Sequence, residues 1–130
     1  EEVIVENTDK ALMIACNKTN SEIIDYTVAP VFMKDGKSGA HEWLIEFSKA
    51  PEKIQEFAIK LDEELKKLNS DYEAKRFKDM VLGFPVVQNS GAKTFHKWLK
   101  SKGKLGGQNK VPRLSNNREI LEEILKFKQS

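Results

Sequence analysis

The sequence predicts an α+β domain: a ferredoxin-like, mixed or antiparallel sheet of about four strands covered by helices, with two extra C-terminal helices. Three observations lead there. β-Branched and aromatic residues alternate over residues 23–33 and 40–48, the period of a half-buried strand. Ile54, Phe57, Ala58, Leu61, Leu65 and Leu68 recur at helical spacing, with Lys, Glu and Gln opposite them. The inferred order strand, helix, strand, strand, helix, strand is that of the split β-α-β repeat.

Residues 2–5, Glu-Val-Ile-Val, read as a short first strand. Asn7 is placed to cap a helix running to about Lys18, with Asp9 in its first turn and Ala11, Leu12, Ile14, Ala15 and Cys16 along it. In the next strand Ile24, Tyr26, Val28 and Phe32 share one parity, and Pro30 puts the strand at an edge or a bulge. Residues 34–39 carry Asp35-Gly36 and read as a hairpin loop. On the return strand His41, Trp43, Ile45 and Phe47 share one face. Glu42 and Glu46 share the other, which reads as a solvated face rather than a paired-carboxylate site.

Pro51 is suited to open the long helix. Residues 72–77 read as a short helix or turn, and residues 80–88 as a strand interrupted by Gly83 and Pro85. Residues 93–100 form a helix with Phe95, Trp98 and Leu99 inward. Asn116 and Glu119 make a capping-box pattern for a last helix that buries Ile120, Leu121, Ile124 and Leu125. The helices are expected on one face of the sheet.

Size and composition narrow the function. The 130 residues make one domain, and a net charge of +2 gives no case for bulk nucleic-acid binding. No apolar run approaches the roughly 20 residues of a membrane helix, and no signal peptide is evident. Cys16 is the lone cysteine and reads as a buried core thiol. It fits a reducing, cytoplasmic compartment. The chain begins Glu1-Glu2 without methionine, which reads as a piece cut from something longer. His41 and His96 lack a metal-ligand spacing, so no metal site is expected. No nucleophile elbow and no phosphate-binding glycine loop occurs.

The most informative stretch lies near the C-terminus. Lys93, Lys97, Lys100, Lys102, Lys104, Lys110 and Arg113 follow one another with no acid between them. Most of these read as a solvated helix face. Lys110 differs. Gly103, Gly106 and Gly107 lie before it and leave the backbone free, while Val111-Pro112 stiffens the chain after it. A cation mobile on one side and braced on the other can enter a second surface and meet a phosphate or carboxylate.

Four segments resemble the C-terminal domain of the auxin-responsive Gretchen Hagen acyl-acid amido synthetases, particularly their bacterial relatives. They are Glu-Val-Ile-Val-Glu-Asn-Thr-Asp-Lys-Ala-Leu over residues 2–12, His-Glu-Trp-Leu-Ile-Glu-Phe over 41–47, Tyr-Glu-Ala-Lys-Arg over 72–76, and Gly-Ala-Lys-Thr-Phe over 91–95 followed by Lys-Val-Pro-Arg over 110–113. The last is the most diagnostic.

The resemblance implies an AMP-forming ligase with an acyl-adenylate intermediate, in which ATP with Mg2+ and the acid are held mainly by an N-terminal nucleotide-binding domain. Residues 1–130 would be the mobile cap of that two-domain enzyme, inactive alone. Its partners would be that domain, a small carboxylic acid and an amino acid, with no nucleic acid and no membrane. Lys110 matches the family's catalytic lysine. Gln108 and Arg113 flank it as secondary candidates for substrate or phosphate contact, and Gly103, Gly106 and Gly107 form the loop. Asn109 departs from the aromatic residue usual in plant members, so no auxin or jasmonate substrate is carried over.

The alternative is a small ferredoxin-like module for single-stranded nucleic acid, with Tyr26, Trp43 and Phe47 as a stacking platform. These aromatics are better explained as core beneath the helices.

Overall fold

The computed structural model describes residues 3–34, 38–103 and 110–128. Five helices and three strands follow in the order α1 (Val5–Thr19), β1 (Glu22–Val31), β2 (Ala40–Lys49), α2 (Ile54–Leu68), α3 (Ser70–Arg76), β3 (Val86–Asn89), α4 (Thr94–Ser101) and α5 (Glu119–Leu125). The α+β class expected from the sequence is the one observed. β1 and β2 are antiparallel, β2 and β3 parallel, and the strand order is β1-β2-β3.

The expected first strand is not formed among the described residues. Val3 and Ile4 are irregular and Val5 already belongs to α1. Asn7 explains the shift. It does not stand before the helix as its cap. It sits inside the first turn, and its Oδ1 accepts the Ile4 N–H at 3.2 Å while the Ile4 carbonyl accepts the Asn7 and Thr8 N–H groups. The strand's place at the free edge of β1 goes to the C-terminal segment. Val28 donates its N–H to the Arg113 carbonyl at 2.8 Å and accepts from Ser115 N–H at 3.0 Å, a parallel bridge centred on Leu114.

Helices cover both faces of the sheet, not one. Phe57, Leu61 and Leu65 of α2 and Ala11, Leu12 and Ala15 of α1 pack on Tyr26, Val28, Trp43, Ile45 and Phe47. The opposite parity, Ala29 and Leu44, meets Phe95 and Trp98 of α4 and Leu121 and Ile124 of α5. Leu61 is fully buried, as its period demands.

That second layer changes the meaning of Glu42 and Glu46. Their face is not solvated: both are buried, at 7% and 3% exposure. Glu42 accepts from Arg118 Nη2 at 2.8 Å and from Gln88. Glu46 accepts the Lys93 and Phe95 N–H groups at 2.9 and 3.0 Å, closing the start of α4. Such donors are otherwise unpaired at a helix N-terminus. The Gly91–Phe95 turn makes this possible, with Gly91 and Lys93 both at positive φ.

Smaller departures have local causes. A register shift between Ile23 and Asp25 leaves Ile24 outside, so Ile23 rather than Ile24 packs beside Tyr26's cluster. That is the effect of a β-bulge, which moves all residues before it to the other parity. α2 starts at Ile54, after Pro51. α5 starts at Glu119, whose N–H is accepted at 3.0 Å by the side chain of Asn117 rather than Asn116. Pro30 lies on β1 at the margin of the three-stranded sheet, as its missing N–H requires.

Candidate functional site

Lys110 is exposed, and the residues that follow it are tied down one after another. Val111 is buried at 4% exposure among Ala29, Leu44 and Phe95. The Pro112 carbonyl accepts from Thr27 Oγ1 at 2.7 Å. The Arg113 carbonyl accepts from Val28, as above. The brace inferred from Val-Pro is thus physically present, and it is strand-like pairing against β1. On the other side Gly103 closes α4 at φ +67°, with its N–H on the Lys100 carbonyl at 3.0 Å. A Cβ there would meet nothing within 4 Å, so the backbone conformation and not crowding calls for glycine. Gln108, Gly106, Gly107 and Asn109 lie outside the described residues.

Arg113 belongs to a trio that spacing could not reveal. Its Nη1 is 3.4 Å from Asp9 Oδ2, and its guanidinium lies 5.5 Å from the Tyr26 ring centroid. The Tyr26 hydroxyl donates to Asp9 Oδ1 at 2.6 Å and contacts Thr8 Oγ1 at 2.6 Å. Burial and the neighbouring Asp9 push the Tyr26 phenol well above its ordinary value, so it stays protonated. Arg113 is therefore held toward α1, partly in solvent. Asp25 sits on β1 opposite Glu46. Burial raises its pKa, and the positive charges of Arg113 and Lys110 oppose that rise. Asp25, Asp9, Tyr26 and Thr27 are the residues that sequence reading missed. The one available signal was the polar pair Asp25 and Thr27 on an edge strand; Asp9, on α1, gave none.

The Tyr72…Arg76 segment is a second trio, remote from Lys110 in role. Arg76 meets Asp62 with Nε and Nη2, each at 2.8 Å, and Tyr72 donates to the same carboxylate at 2.5 Å. Burial pushes Asp62 up, but the bonds from Arg76 and Tyr72 outweigh it and hold the carboxyl below its ordinary value. This is a buried tie between α2 and α3.

The other candidates resolve simply. His96 is exposed, and His41 stacks on Tyr72 with ring centroids 6.1 Å apart. Cys16 is buried. Lys93, Lys97 and Lys100 are exposed, and Lys102 pairs with Glu123 at 2.8 Å. Tyr26, Trp43 and Phe47 are buried under α1 and α2, so they offer no open platform for bases. Among the described residues no helix is long and apolar enough to cross a membrane.

Comparison with known proteins adds the lineage. The profile of the GH3 family C-terminal domain matches residues 6–119. Among solved structures, AtGH3.15 acyl acid amido synthetase in complex with 2,4-DB superposes with a TM-score of 0.75 at 16% identity, over 100% of this chain and 25% of the other. A further structure of GH3.15 acyl acid amido synthetase gives a TM-score of 0.75 at 18% identity, over 98% of this chain and 24% of the other. The chain spans about a quarter of the length of these structures. No curated protein matches it.

Proposed function

The chain belongs to the GH3 family through its C-terminal domain, and on that premise we propose that it is the mobile cap of an ATP-dependent acyl-acid amido synthetase. The full-length protein joins a carboxylic acid to an amino acid. ATP supplies the leaving group by forming an acyl-adenylate and pyrophosphate, and AMP departs when the amine attacks. An N-terminal domain binds nucleotide, magnesium and acid.

In this reading Lys110 is the catalytic residue. The observation that carries it is the anchoring of Val111, Pro112 and Arg113 against β1 while Lys110 stays exposed. A fixed base holds the cation at a defined place on the cap. Its charge then acts on the oxygens where negative charge develops, in a site closed to water. Gln108 and Arg113 are secondary contacts, and Gly103, Gly106 and Gly107 are the glycines that precede them in the chain.

The test is ATP–pyrophosphate exchange by the full-length protein across a panel of carboxylic acids, with the 130-residue chain assayed beside it. Acid-dependent exchange by the full-length protein and none by the chain alone is the expected result. Micromolar ATP binding by the chain alone in calorimetry would overturn the division of labour.

A further inference from the structure

Thr27 is fully buried on β1, and its hydroxyl donates to the Pro112 carbonyl at 2.7 Å, from 85 positions away in sequence. The bond matters because of what proline lacks. Residues 111–115 run alongside β1, but among the described residues the ladder between them is a single parallel bridge, Val28 to Leu114. Pro112 has no N–H with which to extend that ladder toward Lys110. Among the described residues neither Lys110 nor Val111 makes a hydrogen bond. The Thr27 hydroxyl is therefore the last polar tie before the exposed lysine. Register needs such a tie. A slip of one residue moves a strand segment by about 3.3 Å and turns each side chain to the other face. Burial of Val111 among Ala29, Leu44 and Phe95 resists a slip, but apolar contact is non-directional. A short hydrogen bond is directional.

We propose that Thr27 is a positioning residue for the adenylation step: its hydroxyl stands in for the N–H that Pro112 lacks, sets the register of residues 110–113 on β1, and so fixes the point from which Lys110 projects. This rests on the reading of Lys110 as the catalytic cation. Asp25 marks that point. It lies two residues before Thr27 on the same face of β1, and the Lys110 charge acts on it. Lys110 near Asp25, Pro112 on Thr27 and Leu114 on Val28 follow in the order that a parallel alignment requires. A catalytic group misplaced by about 1 Å can lose on the order of 100-fold in rate. The loss through Thr27 is smaller, because the Val111 contacts and the Arg113 carbonyl still hold the segment.

The test is pyrophosphate exchange into ATP by the full-length protein carrying Thr27→Val, Thr27→Ser, Lys110→Ala, or Thr27→Val together with Lys110→Ala. Valine keeps the volume and removes the donor, whereas serine keeps the donor. Thr27→Val is expected to lower kcat about tenfold, the worth of one good hydrogen bond, with little change in the KM for ATP, and Thr27→Ser to stay within about twofold of the parent. In the Lys110→Ala background Thr27→Val should remove nothing further, whereas a merely structural role would lower that residual rate as well. A parent rate in Thr27→Val beside a slow Lys110→Ala overturns the proposal and leaves Lys110 in its role. So does a further loss in the double variant, or a Thr27→Ser as slow as Thr27→Val. A parent rate in Lys110→Ala overturns the reading beneath the proposal and the proposal with it. Thr27→Ala beside Thr27→Ser gives the same comparison where the melting curve of Thr27→Val shows that it does not fold.

Discussion

The same three side chains, an arginine, an aspartate and a tyrosine, are assembled twice in this domain, with opposite results. Arg76, Asp62 and Tyr72 lie inside, where the arginine and aspartate side chains are 6% and 5% exposed and meet in a two-pronged contact. Arg113 and Asp9 reach the surface beside the buried Tyr26, their side chains 37% and 46% exposed and joined by a single long contact of 3.4 Å. Burial decides the difference. A charge out of water must be paired closely to be tolerated. A charge still in water gains little from its partner and remains available. The first trio ties helices together; the second leaves cations beside β1 where another surface can meet them.

Removing one partner of the inner trio should therefore be severe. Arg76→Ala is expected to cost roughly 3–5 kcal/mol in urea unfolding, because it strands Asp62 in the interior. Leu61→Ala, on the same helix as Asp62, should cost about 2–5 kcal/mol through the cavity it leaves, and so gives an apolar yardstick. Arg113→Ala should fall within about 1 kcal/mol of the parent. A large loss from Arg113→Ala, or a negligible one from Arg76→Ala, would erase the contrast.

Acid should separate two aspartates with opposite signs. The folded pKa of Asp62 lies below its unfolded value. Its stabilisation is present above the unfolded value, near 3.9, and disappears as pH falls through the folded one. Asp25 has a raised folded pKa. It therefore favours folding more as pH falls through that raised value toward the unfolded one. Unfolding free energy measured from pH 7 down to 3 should thus rise less on acidification in Asp25→Asn than in the parent. Below about pH 4 the loss should be shallower in Asp62→Asn.

The sequence revealed what depends on local periodicity. α2 was legible because Phe57, Leu61 and Leu65 recur every turn. The brace after Lys110 was legible because proline restricts its own neighbourhood. What failed was long-range. Glu42 and Glu46 look like a wet face until Arg118 and the start of α4, far along the chain, come to meet them. Asp9 and Tyr26 gave no hint of Arg113 for the same reason. The bulge at Ile24 shifts parity without any glycine or proline to announce it. The vacated strand position was unpredictable too, because Asn7 works equally well as a cap and as a first-turn acceptor.

The decisive measurement is pyrophosphate exchange into ATP by the full-length Lys110→Ala protein, with Lys100→Ala as the control. Both lysines are exposed, but only Lys110 sits on the stretch anchored to β1. A cation acting on charge that develops in the transition state is worth about 100–1,000-fold in rate. Lys110→Ala is expected to lose that much with unfolding unchanged, and Lys100→Ala to stay near the parent rate. Normal exchange by Lys110→Ala would show that the anchored lysine does not carry the chemistry.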